Sequence, residues 1–210
     1  MVAELAKELS GFLPEGDVLV AGLGNKDITP DAVGPRVAER VLATRHLSAE
    51  LPEEEFLTSL RRVSVFAGGV MGQTGIETSA LLKAICAEIH PAALIVIDAL
   101  ACCDVSRLGT TIQITDTGIS PGSGAANHRQ EISREIFGIP VIAVGVPTVV
   151  DMHTLIRSAT GCEVPEDMPN MLVTPKDIDR LTERSSQLLA FGLNAALHPA
   201  LSLSDVMGLF

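Results

Sequence analysis

The sequence predicts an α/β fold of three layers, with helices on both faces of a mostly parallel, twisted sheet of about five strands. Apolar runs of strand length alternate along the chain with helical patterns, the order expected of repeated strand–helix units. The 210 residues include no Trp or Tyr and six Phe, so the core must consist of Val, Ile, Leu and Ala, which suits buried parallel strands. Pro and Gly are spread along the chain rather than pooled in a linker, so residues 1–210 are predicted to form a single domain.

The predicted strands are residues 17–22, 63–67, 94–98, 111–115 and 141–146. The predicted helices are an amphipathic N-terminal helix and residues 30–44, 76–89, 129–137 and 175–197. Thr174 is the expected N-cap of the last helix, with Pro175 at its first helical position. Residues 158–170 are predicted to form a surface loop because they are rich in Pro, Gly and acidic residues.

Charge and cysteine usage limit the possible functions. The formal net charge of −11 would repel a phosphate backbone, which argues against direct nucleic-acid binding. The N-terminus lacks the basic start and apolar centre of a signal peptide, and no apolar run is long enough to cross a membrane. The four cysteines form no CxxC pair, so we expect no structural zinc site and a reduced, cytoplasmic compartment.

Three glycine-rich loops follow predicted strands, with the sequences GLGN at 22–25, AGGVMGQTG at 67–75 and SPGSGAAN at 120–127. Ligands of open α/β sheets bind beyond the carboxyl ends of the strands, so these loops are expected to border the site. No cofactor is expected, because Asp27 stands where GxGxxG requires its third glycine and no P-loop sequence is present. The PGSGA sequence does not match GxSxG, so we interpret Ser123 as a turn residue.

Asp98 ends the apolar run Leu-Ile-Val-Ile of a predicted central strand. This is the edge of the sheet at which sites are built. Apolar neighbours would raise the pKa of such a carboxyl by penalising its charged form, so Asp98 could carry a proton near neutral pH. The alternative is that Asp98 accepts hydrogen bonds from backbone donors in the following turn.

Asp31 lies in a predicted helix start, with Thr29 as the cap and Pro30 in the first turn. The positive end of the helix dipole would keep Asp31 ionised, although acidic residues at this position are commonly structural. If Asp31 and Asp98 lie close together, their different environments would supply one base and one acid. Activation of water by one and protonation of a leaving amine by the other amounts to peptide hydrolysis.

Other nucleophiles and metal sites are less well supported. The sequence has no HExxH motif, which excludes a zincin, and no metal ligand set is predicted. His90 and His198 each precede Pro at a predicted helix end and are interpreted as caps, whereas His128 and His153 lie close to candidate loops. A thiol nucleophile at Cys102 or Cys103 is an open alternative, although no basic residue or His adjoins them in sequence.

Seven segments between about residues 9 and 198 resemble, in the same order, the germination protease family. They are VAGLGNKDITPDAVGPRVAERVLATRHL, GGVMGQTGIETS, LIVIDALA, TTIQITDTGISPGSG, IPVIAVGVPTVVD, MLVTPKDID and GLNAALH. Members of that family are atypical aspartic endopeptidases that degrade small acid-soluble spore proteins in the spore core during germination. They are made as zymogens, assemble as homotetramers and have a fold similar to that of the hydrogenase maturation endopeptidases.

The resemblance implies that the aspartate of TPDA, Asp31, and that of IDALA, Asp98, are the catalytically required pair. It further implies small acid-soluble spore proteins as substrates, a homotetrameric assembly and no need for the enzyme itself to bind DNA. The lack of a long apolar run already argues against a membrane partner.

The chain departs from the family pattern at several places, so we expect a shortened member. Only about sixteen residues precede the first strand, and the insertion usual before the VTPK motif is reduced to residues 158–170. Ala101-Cys102-Cys103 replaces the basic residue usual after IDALA, and Ser120 replaces a histidine. Two alternative functions remain open at this point: a catalytically idle paralogue that binds spore proteins or a longer homologue, and a hydrogenase-maturation-type endopeptidase.

Overall fold

The computed structural model describes residues 1–47, 59–122, 130–165 and 167–208. Its strands are β1 Val18–Gly22, β2 Val63–Phe66, β3 Ala93–Cys102, β4 Gln113–Thr115, β5 Val141–Asp151 and β6 Leu172–Val173. They form a sheet in the order β2-β1-β3-β5-β4, with β6 also paired to β5. Strands β2, β1, β3 and β5 are mutually parallel, whereas β4 and β6 run antiparallel to β5.

The α-helices of the described residues are α1 Val2–Phe12, α2 Val33–Ala38, α3 Met71–Thr74, α4 Thr78–Ile89, α5 Arg134–Phe137, α6 Met152–Thr160, α7 Ile178–Leu197 and α8 Leu203–Gly208. Among these helices none has both the length and the apolar character required to cross a bilayer.

Apolar side chains cover both faces of the sheet. Along β1, Val18 and Val20 belong to one buried cluster, together with residues of α1, α2 and α7. Leu19 and Ala21 belong to a second cluster on the opposite face, together with residues of α4 and α5. Because successive side chains of a strand alternate between faces, a continuously apolar strand must be covered on both sides. The predicted three-layer α/β fold with a mostly parallel sheet is confirmed.

The prediction that β3 ends at Asp98 is wrong, because the strand continues to Cys102. Its pairing with β5 runs from Leu94 opposite Val141 to Cys102 opposite Val150, with one irregularity after Leu100. Strand β5 likewise continues beyond the predicted 141–146, and β6 pairs with its last two residues. The two strands extend each other, since each supplies backbone partners for the other.

The predicted helix over 30–44 is also wrong, because only residues Val33–Ala38 form an α-helix. Just after the end of this helix, the side chain of Asn194, from α7, forms hydrogen bonds with backbone groups that a longer helix would have paired internally. The amide of Asn194 donates to the carbonyl of Arg40 (2.7 Å) and accepts from the N–H of Leu42 (2.8 Å). A buried amide that meets these backbone groups removes the benefit of continuing the helix.

Three other predicted elements have different ends in the structure. Helix α7 begins at Ile178 rather than at residue 175, so Thr174 is not its cap. Helix α6 was not predicted, and it takes up the first three residues of the predicted loop 158–170. Residues 130–133 of the predicted helix 129–137 are not helical, because Ile132 exchanges backbone hydrogen bonds with Ile119. The start of that predicted helix lies outside the described residues.

The two histidines interpreted as caps do end helices: His90 terminates α4 and His198 terminates α7. His198 is fully buried, its Nε2 donates to the carbonyl of Leu42 (3.3 Å), and its Nδ1 has no hydrogen-bond partner among the described residues. Burial therefore lowers the pKa of His198 below the ordinary 6.5.

This histidine should make folding sensitive to mild acid. Below about pH 6.5 the imidazole of His198 binds a proton in the unfolded chain but stays neutral in the folded chain. The free energy of unfolding should therefore fall, by at most about 1.4 kcal/mol for each unit that the pH decreases. The fall should end once the pH drops below the folded pKa. Urea unfolding at several pH values between neutral and about 5 should show that the free energy of unfolding falls less steeply with pH in His198→Gln than in the parent. His46→Gln, at an exposed position, is the control that should retain the parental pH dependence of the free energy of unfolding.

Candidate active site

The connectivity of the sheet creates a crevice at the end of β1. From β1 the chain passes to β2 on one side, and β3 lies on the other side, so the direction of winding reverses between β1 and β3. Such a switch point is where open α/β sheets bind their ligands. The last residue of β1, Gly22, pairs with Ile97, so Asp98 is the first residue of β3 beyond the end of β1.

A cleft of about 800 Å³ opens at this point and contains both predicted aspartates, Asp31 and Asp98. Its walls come from the loop after β1, the extended part of β3, the end of β5 and described residues of the two other predicted glycine-rich loops. The described residues that line it are Gly24, Asn25, Ile28, Pro30, Asp31, Val70, Asp98, Ala99, Leu100, Ala101, Cys102, Cys103, Gln113, Ile119, Ser120, Gly122, Thr148, Val149, Asp151 and Leu172. Three of them are carboxylates and none is Lys, Arg or His, so the charged side chains of this lining are all acidic.

Asp31 is held by the GLGN loop rather than by a helix. It lies in a short 3-10 turn, Thr29–Asp31, which has no side-chain cap, so the predicted capping role of Thr29 is wrong. The carboxylate of Asp31 accepts the backbone N–H of Asn25 at 2.7 Å. Gly24 makes this approach possible, because its φ is +112° and a Cβ there would lie 2.1 Å from the carbonyl oxygen of Asp31.

The turn that carries Asp31 is also fixed from two other directions. The hydroxyl of Thr148, from β5, donates to the carbonyl of Pro30 at 2.7 Å. The hydroxyl of Thr182, from α7, donates to the carbonyl of Thr29 at 3.2 Å. Both hydroxyl groups belong to fully buried residues, so the position of Asp31 is set by the packed core and not by a free loop.

Asp98 lies within the central strand and is only 7% exposed. Its Oδ1 accepts the backbone N–H of the next residue, Ala99, at 2.9 Å. The flanking Ile97 and its neighbours along β3 are fully buried, so the carboxylate stands at the boundary between the apolar core and the cleft. The sequence left open that Asp98 only accepts a hydrogen bond from the backbone that follows it. The structure contains this hydrogen bond, and Asp98 also lines the cleft.

A third carboxylate of the cleft, Asp151, was missed from the sequence. It caps α6, where it accepts both the hydroxyl (2.5 Å) and the N–H (2.9 Å) of Thr154, and it also accepts from the amide of Asn170 (3.3 Å). The hydrogen bond from the Thr154 hydroxyl is the main reason why the pKa of Asp151 is below its usual value. The one available signal was an Asp at the end of an apolar run, which can be interpreted as an N-cap only once α6 is known.

The geometry gives little support to Cys102 or Cys103 as a thiol nucleophile. Cys102 lines the cleft and is 5% exposed, and burial raises the pKa of its thiol. A thiol kept protonated is a poor nucleophile, and no histidine is among the described residues of the lining to take its proton. Cys103 also lines the cleft, on the exposed side.

His153 is not among the described residues that line this cleft. The ring of His153 bonds to the carbonyl of Met168 at 3.0 Å, at an exposed position. Ser123 and His128 lie outside the described residues. Within the parts of the chain that the structure describes, no group of three or more His, Cys, Asp and Glu side chains is arranged to hold a metal ion.

Comparison with known proteins shows which family this chain is similar to. The family model described as germination protease matches residues 2–161. The chain is 40% identical over 239 aligned residues to the germination protease of Caldanaerobacter subterraneus subsp. tengcongensis, covering 98% of this chain and 74% of that protein. It is 36% identical over 269 aligned residues to the germination protease of Bacillus subtilis (strain 168), covering 95% and 73% respectively. Both alignments are longer than the 210 residues of the chain, so these relatives contain insertions with respect to it.

Among solved structures, the chain is similar to the NiFe hydrogenase maturation protease HycI from Thermococcus kodakarensis KOD1. The TM-score is 0.43 with 18% identity, over 87% of this chain and 98% of that chain. A likeness this distant carries no functional argument. The family model and the relatives, by contrast, extend over most of the chain, and they show that it belongs to the germination protease family, a family of peptidases.

Proposed function

We propose that this chain is an endopeptidase that hydrolyses small acid-soluble spore proteins during germination, with Asp31 and Asp98 as its catalytic pair. The observation that carries the proposal is that both aspartates line one cleft at the topological switch point of the sheet. The match to the germination protease family favours spore proteins as substrates over a hydrogenase precursor.

The proposed reaction needs a base and an acid on the two sides of a peptide bond. One carboxylate accepts a proton from a water molecule while the water oxygen forms a bond to the scissile carbonyl carbon. The carbon–nitrogen bond then breaks, and the second carboxyl gives its proton to the leaving amine. Each carboxylate already has one oxygen fixed by a backbone N–H, from Asn25 and from Ala99, so little reorganisation is needed when a substrate binds.

The neighbouring groups support acid–base work in this cleft. Asp98 is almost fully buried, and it lines the same cleft as Asp31. The proposed reaction requires one of these two carboxyl groups to hold a proton while the other is ionised, and different environments of two carboxyl groups are what separates such roles.

The direct test is to incubate the purified chain with a small acid-soluble spore protein and to map the products by mass spectrometry. We expect cuts at discrete peptide bonds, in the presence of a chelator and without added nickel. An unrelated protein of similar charge should stay intact under the same conditions. A spore protein that is bound but never cut would support the idle paralogue instead, and cutting only of a nickel-loaded client would support the maturation-type enzyme.

By the family resemblance we further propose that the chain works in the spore core as a homotetramer. Several large apolar side chains of the described surface are exposed and could form contacts between subunits, among them Met171 and Met207, with 58% and 56% of their surface accessible. Light scattering from the purified protein measures the assembly directly, and a monomer at working concentrations would contradict it.

A further inference from the structure

Strand β3 extends well past its neighbour β1. The last pair between the two strands is Gly22 with Ile97, and β3 then continues through Cys102. Over this extension β3 pairs with β5 on one side. On the side of β1, no strand of the described residues continues the sheet.

The backbone groups of this open edge can be identified from the hydrogen bonds below it. Leu23 donates its N–H to the carbonyl of Ile97 at 2.8 Å, so the backbone groups of Ile97 face β1. The irregularity in the pairing with β5 comes from an extra residue in β5, so the residues of β3 keep their alternation. Since successive residues of a strand direct these groups to opposite sides, those of Ala99 and Ala101 face the same side as Ile97. The N–H of Ala99 is bonded to Asp98, whereas the carbonyl of Ala99 and both groups of Ala101 have no backbone partner on this side among the described residues.

The space beside this edge is part of the cleft. After Leu23 the chain turns at Gly24, whose φ is +112°, and it leads to Asp31, which lines the same cleft. Residues Asp98 to Cys102 all line the cleft. At about 3.3 Å per residue, these five positions of β3 offer an edge roughly 16 Å long. A segment of about five extended residues therefore fits in line with β1, with one end beside the two aspartates.

We propose that an extended segment of the substrate protein binds here as an added strand, paired with the edge of β3 at Ala99 and Ala101. This inference rests on the proposed function, because it names the conformation in which that substrate reaches Asp31 and Asp98. An unpaired edge is a template for another strand, and recognition by strand addition takes its affinity from backbone hydrogen bonds. Pairing with a rigid central strand would also fix the scissile bond next to the pair, which is what hydrolysis requires.

Strand addition predicts a pattern with a period of two residues in the substrate. Overlapping fluorescein-labelled peptides that cover a small acid-soluble spore protein identify the segment that binds, by fluorescence anisotropy with the intact chain. Single N-methyl groups are then placed at each residue of that segment in turn. We expect affinity to fall about fivefold to tenfold at every second residue, whose N–H faces β3, and to change little at the residues between.

The outcomes separate this inference from the proposed function. A peptide that is cut but shows no alternation overturns strand addition and leaves the endopeptidase intact. A peptide that binds with the alternation but is never cut overturns the proposed function alone. A chain that neither binds nor cuts any of the peptides overturns both.

A pair of variants tests the same edge from the enzyme side. Ala101→Pro removes the N–H that faces the cleft, whereas Ala101→Val keeps it and also suits a strand. The KM of the proline variant should exceed that of the valine variant about fivefold or more, with similar kcat and similar thermal unfolding. Equal KM values in two folded variants would contradict the inference, and if the proline variant does not fold, the peptide pattern decides.

Discussion

Replacement of either aspartate by asparagine, Asp31→Asn or Asp98→Asn, should lower the rate of spore-protein cleavage by at least about 100-fold. The amide keeps the volume of the carboxylate and still offers an oxygen to the N–H of Asn25 or Ala99, but it cannot transfer the proton. The double variant should be little slower than either single variant, because residues that act as a unit lose their effect together. Initial rates measured by mass spectrometry, with thermal unfolding as a check of folding, provide the comparison.

The matched control for these variants is Asp116→Asn, at an exposed position outside the lining of the cleft, and it should cleave at the parental rate. Full activity in Asp98→Asn would remove the aspartate pair from the mechanism. If cleavage then disappeared in Cys102→Ala or Cys103→Ala, the thiol alternative would take its place.

The second large effect should come from Gly34→Ala in α2. A Cβ at Gly34 would lie 2.2 Å from the carbonyl oxygen of Leu23 and 2.4 Å from that of Ile97. Both oxygens belong to the backbone at the switch point, where Leu23 is hydrogen-bonded to Ile97, so neither can move without cost. We expect a loss of at least about 2–3 kcal/mol in the free energy of unfolding, which corresponds to a melting temperature roughly 5–10 °C lower.

The same substitution should reduce activity more than stability alone explains, because α2 must shift and the turn that carries Asp31 precedes it directly. Gly72→Ala is the matched control, since a Cβ at that position in α3 would meet nothing within 4 Å. It should change the free energy of unfolding by no more than about 0.5 kcal/mol. A melting temperature of Gly34→Ala equal to that of Gly72→Ala would show that α2 does not pack as closely as described.

The elements predicted well are those whose pattern is set by burial alone. Strand β1 and helix α4 lie within one or two residues of their predicted bounds, because a continuous apolar run or a long periodic helix has few alternative interpretations. The helix over 30–44 was predicted on the same kind of pattern, but the buried side chain of Asn194, about 150 positions away in the chain, ends it. A local pattern contains no information about a partner so distant in sequence.

The class of the fold, the family and the two candidate aspartates could all be predicted before folding was considered, since they depend on residue type and order. Three features became visible only in the folded chain: β3 continues past Asp98, Asp151 lines the cleft, and Asp31 accepts the N–H of Asn25. Strand length is set by pairing with a neighbouring strand, and the position of a carboxylate is set by backbone donors from separate segments. Both depend on which parts of the chain meet, and that is fixed only when the sheet and its helices pack together.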